Sequence, residues 1–536
     1  MTKPPILPNL QPRPLHHPIS TTSPTAQEWF NRGLLWTYGF NHEEALRCFQ
    51  QAAHHDPTCT MAHWGIAYAI GPSYNKQWAF FDPSDLHTSI HTAHAALTTP
   101  TSPTATPIET SLKTALLSRF PPPNAIPTPT PKKPSLWDLD TGSPSGPHTT
   151  EARSLLEHHL STPEGHSHPA LCHLYIHLME MTTTPDLALP AANRLRTLMP
   201  DASHMLHMPT HIDMAVGDYP QAIKSSQEAI EADDRFFALN QTRIPTGEEG
   251  GGGGGALYIA YRVHNIMTKL YCASISGRMG DALSAAGKLE DVIDHRVLGM
   301  KSPVMADWTE GFLGMVGHVF VRFGRWGDVL DLHLPGERDE DGVYCCKRAN
   351  LLYARGIALS ALGRVEEAET TREEFEKARD RVPPSRFNNV PVRQREVLAI
   401  ASAMLEGEVE YRKGNMERAF ELLRHGVELE DGLAYCDPPA WTQPVRHALG
   451  GLLLEQGRVE EAEQVFREDL GLAEGFPRRK ARLDNVWGLH GLYECLVRGG
   501  KVEEASRVKV VRDGAMKEAD VPIVTSCYCR LGVGCC

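Results

Sequence analysis

No stretch of this 536-residue chain offers the run of about 18 apolar residues that a bilayer-crossing helix needs, so no membrane span is predicted. The chain also lacks basic excess. Its net charge of −13 leaves no positive stripe to displace counterions from phosphates, which excludes nucleic acid as a partner. The twelve cysteines follow no spacing of a disulfide framework, which fits a reducing compartment and makes cytoplasmic the expected location. Residues 1–25 are rich in Pro and Thr and contain no apolar core of a secretory signal, so they read as a disordered leader. The glycine run Gly250 to Gly255 has neither a following Lys-Ser/Thr nor a preceding strand, which removes a phosphate-binding loop. It reads instead as a flexible connector in an insertion over 245–256. No nucleophile motif appears.

Helical repeats are what the sequence does contain. From Ala26 to Thr60, Trp29, Gly33, Ala45, Phe49, Ala52 and Pro57 stand at positions 4, 8, 20, 24, 27 and 32 of a 34-residue helix-turn-helix unit. Small residues at 8 and 20 let two helices approach, the aromatic at 24 fills the space between them, and proline at 32 ends the second helix. Ala188, Leu195 and Pro200 fit one further unit, and Gly217, Ala222 and Ala229 the next. Gly277 and Ala282 belong to another, displaced by the glycine-rich insertion. The C-terminal third writes one motif four times, with glycine at 363, 414, 457 and 500 and alanine five residues later. Its Glu-Glu pairs at 366–367, 460–461 and 503–504 fall at helix starts, where carboxylates favour the dipole, and are solvated caps.

These positions identify a tetratricopeptide-type (TPR) repeat, and the expected fold is all-α, a TPR-like α-solenoid wound as a right-handed superhelix. The stretches TYGFNHEEA (37–45), HLYIHLMEM (173–181) and HMPTHI (207–212) resemble a bacterial and fungal group of TPR-domain proteins. That resemblance covers Trp29 to Gly280 well, and it implies a helix pair where this chain turns rich in Pro and Thr. The expected organisation is a leader (1–25), N-terminal repeats (26–94), a Pro/Thr-rich linker or loop (95–150), central repeats (151–335), C-terminal repeats (336–520) and a Cys-rich tail (521–536). In that tail the terminal Cys535-Cys536 pair has the form of a lipidation signal, against the plainer reading of a ragged end.

Histidine is abundant, at 26 residues, so register decides which ones matter. His173, His177 and Glu180 fall at positions 5, 9 and 12 of one first helix. His204, His207 and His211 fall at 2, 5 and 9 of the next. His173 and His207 are 34 residues apart, as are His177 and His211, so stacked first helices should face them across a shared concave groove. His264 falls at position 2 of the following unit and extends the set. Imidazoles drawn from facing helices with a single carboxylate suit a divalent transition metal, Zn²⁺, Fe²⁺ or Cu²⁺, and leave positions open for water or substrate. Crowding should also keep the rings neutral and free to ligate. Pro209 breaks helical rules between His207 and His211, the kind of local conflict found beside functional sites. His42, His63 and Asn75 lie off the groove stripe and suit capping or turn roles, while Trp64 and Trp78 suit core or groove wall. A groove of this kind takes a small molecule at a metal, or a partner protein or peptide on a scaffold. Whether the chain is an enzyme is left open by its residues.

Overall fold

Helix starts in this chain are fixed by local chemistry. Ser23 accepts from the Ala26 N–H and Pro24 opens the first helix, Pro24–Tyr38. Asn41 accepts from the Glu44 N–H to start His42–His55, and the third helix, Thr60–Ile70, follows Pro57. A computed structural model describes residues 16–120, 122–123, 136–239, 256–336 and 343–530. Among these residues the architecture is all-α, with no strand beyond isolated bridges.

Consecutive helices pair as hairpins, and one wedge holds them. Phe49 is fully buried between Gly33 and Gly65, and a Cβ at either glycine would overlap its ring. The same device recurs far away, where Phe466 is clasped between Gly450 and Gly491. Replacing any of these glycines by alanine forces the wedge out of a close-packed interior. In the C-terminal third, Gly363, Gly414, Gly457 and Gly500 all take left-handed φ and hand the chain to helices starting at Val365, Met416, Val459 and Val502. The helices from Val365, Val459 and Val502 hold the expected Glu-Glu pairs in their first turns.

Two expectations differ from what the chain does. Within 95–150, read as linker or loop, residues Pro107–Leu117 form a helix. A reciprocal Thr106/Glu109 capping box starts it, and its Leu116 reaches the core. The proline-rich composition concealed it because the helices here, Pro83–Thr98, Pro107–Leu117 and Pro147–Leu160, all use proline in the first turn, where it has no bond to break. The leader over 1–25 lies largely outside the described residues (1–15), as does the glycine run at 250–255. The tail is not ragged as far as residue 530. Ile523, Tyr528 and Cys529 are buried, Arg530 pairs with Glu494 at 2.7 Å, and Cys527 is bonded to Cys529. Cys535 and Cys536 fall outside the described residues.

The repeats do not run out into an open groove. C-terminal segments return onto the central ones. Tyr219 Oη donates to the Leu483 carbonyl at 3.0 Å, Trp487 Nε1 to Ser274 O at 2.9 Å, and the Met279 and Gly280 N–H groups to Asp520. Phe80 packs edge-on against Trp308 and Phe387, joining the N-terminal repeats to the other side. The inner face becomes the wall of a cavity of about 1310 Å³.

Candidate metal centre

Four helices supply the histidines. Pro169–Met179 carries His173 and His177 one turn apart, with Glu180 as its C-cap. The next first helix is split. Ser203–His207 stops at Met208, and Pro209 occupies the first turn of a new helix, Pro209–Val216. Pro209 has no N–H to give to the preceding turn, so the ladder is interrupted there, while Met208 keeps helical φ −51° and ψ −37°. One turn apart on this helical path, His207 and His211 point the same way, with their Nε2 atoms 3.0 Å apart. The helix Ala256–Ile275 brings His264, whose Nε2 lies 2.9 Å from His207 Nε2.

All the residues singled out by register gather in one place. Exposure runs from 0% at His207 to 9% at Glu180, with His264 partly buried. His177 faces His211, 34 residues on, with ring centroids 5.6 Å apart. The matching expectation for His173 needs correction: its ring meets His204 at 5.0 Å, not His207, which turns to His264 at 4.5 Å. Two groups form instead of two facing pairs. The ligand-competent atoms of His173, His177 and His204 all lie within 4.8 Å of one another, as do those of His207, His211 and His264. A third grouping at the same spacing is His177, Glu180 and His211.

Hydrogen bonds fix which ring nitrogen is free. His173 Nδ1 lies 2.7 Å from the Tyr38 carbonyl, which only accepts, so Nδ1 carries the proton and Nε2 presents a lone pair. Glu180 stands between the two groups. One oxygen accepts from His177 Nδ1 at 3.1 Å and the other from His211 Nδ1. Burial works against a charged Glu180, but His211 and His177 outweigh it and hold the carboxyl at about 2. An ionised Glu180 only accepts, so both Nδ1 atoms are protonated. His173 Nε2, His177 Nε2 and both nitrogens of His204 are buried without any hydrogen-bond partner. Orphaned polar atoms of this kind are rare in folded proteins, and here they cluster.

The expected neutrality of the rings is met by four of them. Burial, reinforced by the neighbouring imidazoles, pushes His173, His204 and His207 well below the ordinary value and His264 down to about 3. His211 departs from that expectation. Burial opposes its charge, yet Asp437 and Glu180 raise it to about 9. Asp437 Oδ2 lies 3.2 Å from His211 Nδ1 and is itself pushed to about 7, chiefly by burial.

Sequence reasoning missed three contributors. Asp437 arrives from the connection between Met416–Asp431 and Val445–Glu455, and no local signal at position 437 ties it to His211. The Tyr38 carbonyl is backbone and leaves no trace in residue type. Phe40 lies inside the TYGFNHEEA stretch and is held at φ 56°, which costs a bulky residue about 1–2 kcal/mol. Its ring stacks on His177 at 5.8 Å and His204 at 5.3 Å and leans on His173 at 4.4 Å. Among the weaker candidates, Asn75 Nδ2 donates to Tyr261 Oη at 3.1 Å on the cavity wall. His42 opens the His42–His55 helix and lines the cavity. His63 is turned away, with Nε2 2.8 Å from the Pro57 carbonyl. Trp64 stacks on Tyr68, and Trp78 packs on Phe81 and Phe120.

Comparisons with known proteins bear on the fold. A tetratricopeptide repeat family model matches residues 445–480, the hairpin built around Phe466. No curated protein matches the sequence. Among solved structures, yeast Tom70 aligns over 92% of each chain at 12% identity with a TM-score of 0.31. The structure of Naa15/Naa10 bound to HypK-THB contains a chain aligned over 92% of this one and 84% of its own length, at 12% identity and a TM-score of 0.22. Neither overlay is close enough to carry an argument about function. Among the described residues no helix is long and apolar enough to cross a membrane. The chain is an all-α helical-repeat protein that contains a tetratricopeptide repeat at residues 445–480.

Proposed function

We propose that this protein binds a divalent transition metal through the buried imidazoles of His173, His177, His204, His207, His211 and His264, and that a small molecule meets the ion in the adjoining cavity. The observation that carries this reading is the set of orphaned ring nitrogens. A buried imidazole without a partner loses the desolvation free energy of its lone pair, about 1–3 kcal/mol each. Three such rings converging on one point make sense if a cation completes them. The Nδ1 protons donated to the Tyr38 carbonyl and to Glu180 are the outer-shell bonds that orient metal-ligating histidines. Glu180 is then a positioning residue rather than a ligand.

All-imidazole ligation suits Zn²⁺, Cu²⁺ or Fe²⁺. Three protein ligands leave a position open, where a bound ion polarises water or a carbonyl. His177, Glu180, His204, His211 and His264 all line the cavity, and so do the aromatic side chains of Tyr74, Tyr261, Trp308 and Phe387. That lining favours a ligand with substantial apolar or aromatic surface. The competing reading is a docking platform for a partner peptide. It needs an inner face open along its length, whereas Phe40 lies against His177 and His204 and the connection bearing Asp437 closes on His211.

Elemental analysis of the untagged full-length chain is the test. Wild type is expected to retain transition metal through dialysis. The His177→Ala/His211→Ala double variant should lose nearly all of it while keeping helical circular dichroism near wild type. Equal metal content in the two proteins would overturn the reading.

A further inference from the structure

We infer that the cluster is built for two metal ions, one on His173, His177 and His204 and the other on His207, His211 and His264. The inference rests on the metal-binding reading and goes beyond it by fixing how many ions are held and which rings hold each.

The argument turns on what each nitrogen has left to give. His173 Nε2 and His177 Nε2 are lone pairs, since both Nδ1 atoms donate elsewhere. With His204 they form one buried group whose relevant atoms have no partner. The second group shows a different symptom. His207 Nε2 stands 3.0 Å from His211 Nε2 and also 2.9 Å from His264 Nε2. An imidazole nitrogen has either one proton or one lone pair, so it cannot make a good hydrogen bond to both neighbours. Around a shared ion the contradiction disappears. Ligands about 2.0–2.1 Å from a metal stand about 2.9–3.4 Å from one another in octahedral or tetrahedral geometry.

A single ion at the remaining grouping, His177, Glu180 and His211, accounts for less. It would use the Nδ1 atoms, which already donate to Glu180, and would leave all the Nε2 atoms as they are. Glu180 is better explained as a shared support. One carboxylate accepts the Nδ1 proton of one histidine in each group, which directs His177 Nε2 toward one ion and His211 Nε2, once the incoming ion displaces its proton, toward the other. Two imidazole triads braced by one buried carboxylate then form a paired centre at the cavity wall.

The test is stoichiometric. The metal-free full-length protein is titrated with Co²⁺ while its visible absorption is followed, and metal content is measured after gel filtration. Wild type is expected to take up two equivalents, with absorption rising until the second is bound. His173→Ala/His204→Ala and His207→Ala/His264→Ala should each retain one equivalent. One equivalent in wild type would overturn the two-ion inference and leave the metal-binding reading standing. No uptake would overturn both. A well-folded double variant that loses all its metal would also overturn the inference, because the ions would not be separately held. Should either variant unfold, the wild-type endpoint still decides.

Discussion

Two buried histidines, His447 in the C-terminal repeats and His173 in the central ones, are both 1% exposed, yet they are built differently. His447 has a partner for each nitrogen: Nε2 faces Asp469 Oδ2 at 2.9 Å and Nδ1 faces Arg322 at 3.0 Å. His173 has one partner and one empty lone pair, and its neighbours His177 and His204 repeat the defect. Burial therefore does not distinguish a structural histidine from a binding one; the state of the second nitrogen does. A single orphan is not enough either. His318 Nε2 is unpartnered, but its ring packs on Tyr353 and Trp441, and it belongs to no convergent group among the described residues.

The contrast can be broken from the C-terminal side first. His447→Ala removes one member of a buried pair and should destabilise the fold by roughly 3 kcal/mol, the low end for such a loss, since Asp469 keeps Asn485 at 2.8 Å. Metal content should stay at the wild-type level, and urea unfolding with elemental analysis reads both. Glu180→Gln is the converse. The amide oxygen still accepts from one histidine, but its NH₂ requires an acceptor on the other, which moves that ring's proton to Nε2 and blocks the lone pair. Metal affinity should fall about 10–100-fold, measured by competition with a chromophoric chelator, with a smaller change in unfolding midpoint.

The smallest effect is expected from pH. Burial alone would raise the Asp469 carboxyl, but His447, Arg482 and Asn485 outweigh it and hold it at about 2. A folded value below the unfolded one near 4 means that its stabilisation is complete above pH 4 and is lost as pH falls toward 2. The urea midpoint of wild type should therefore decline more steeply between about pH 4 and 2 than that of Asp469→Asn.

Much of this was legible beforehand, for a physical reason. Phe49, Gly33 and the turn glycines obey rules of size and backbone angle that each residue type states on its own. The histidines could be gathered because helical periodicity fixes faces, and the pairing of His177 with His211 follows from it. What periodicity could not give was the consequence of Pro209. Pro209 interrupts the ladder between His207 and His211, and in this stretch His207 meets His264 while His204 meets His173. Nor could it give groups that arrive from a distant connection, as Asp437 does, or a main-chain carbonyl such as that of Tyr38. Glu180 was read as belonging to the site, but its two oxygens serving two rings is a matter of orientation that spacing alone does not contain.

The turn at Gly217 has a consequence for how the molecule comes apart. Its φ of 84° ends the helix that carries His211, and a Cβ there would stand 2.9 Å from the Leu483 carbonyl oxygen. Arg478 donates to Ala215 O beside it. In a linear array each unit leans only on the next, so unfolding frays inward from either terminus. Fastening residues 215–219 to 478–483 closes that line into a loop, and the units between must loosen together. The block inside that loop, His264 included, then comes apart as a unit with the C-terminal repeats.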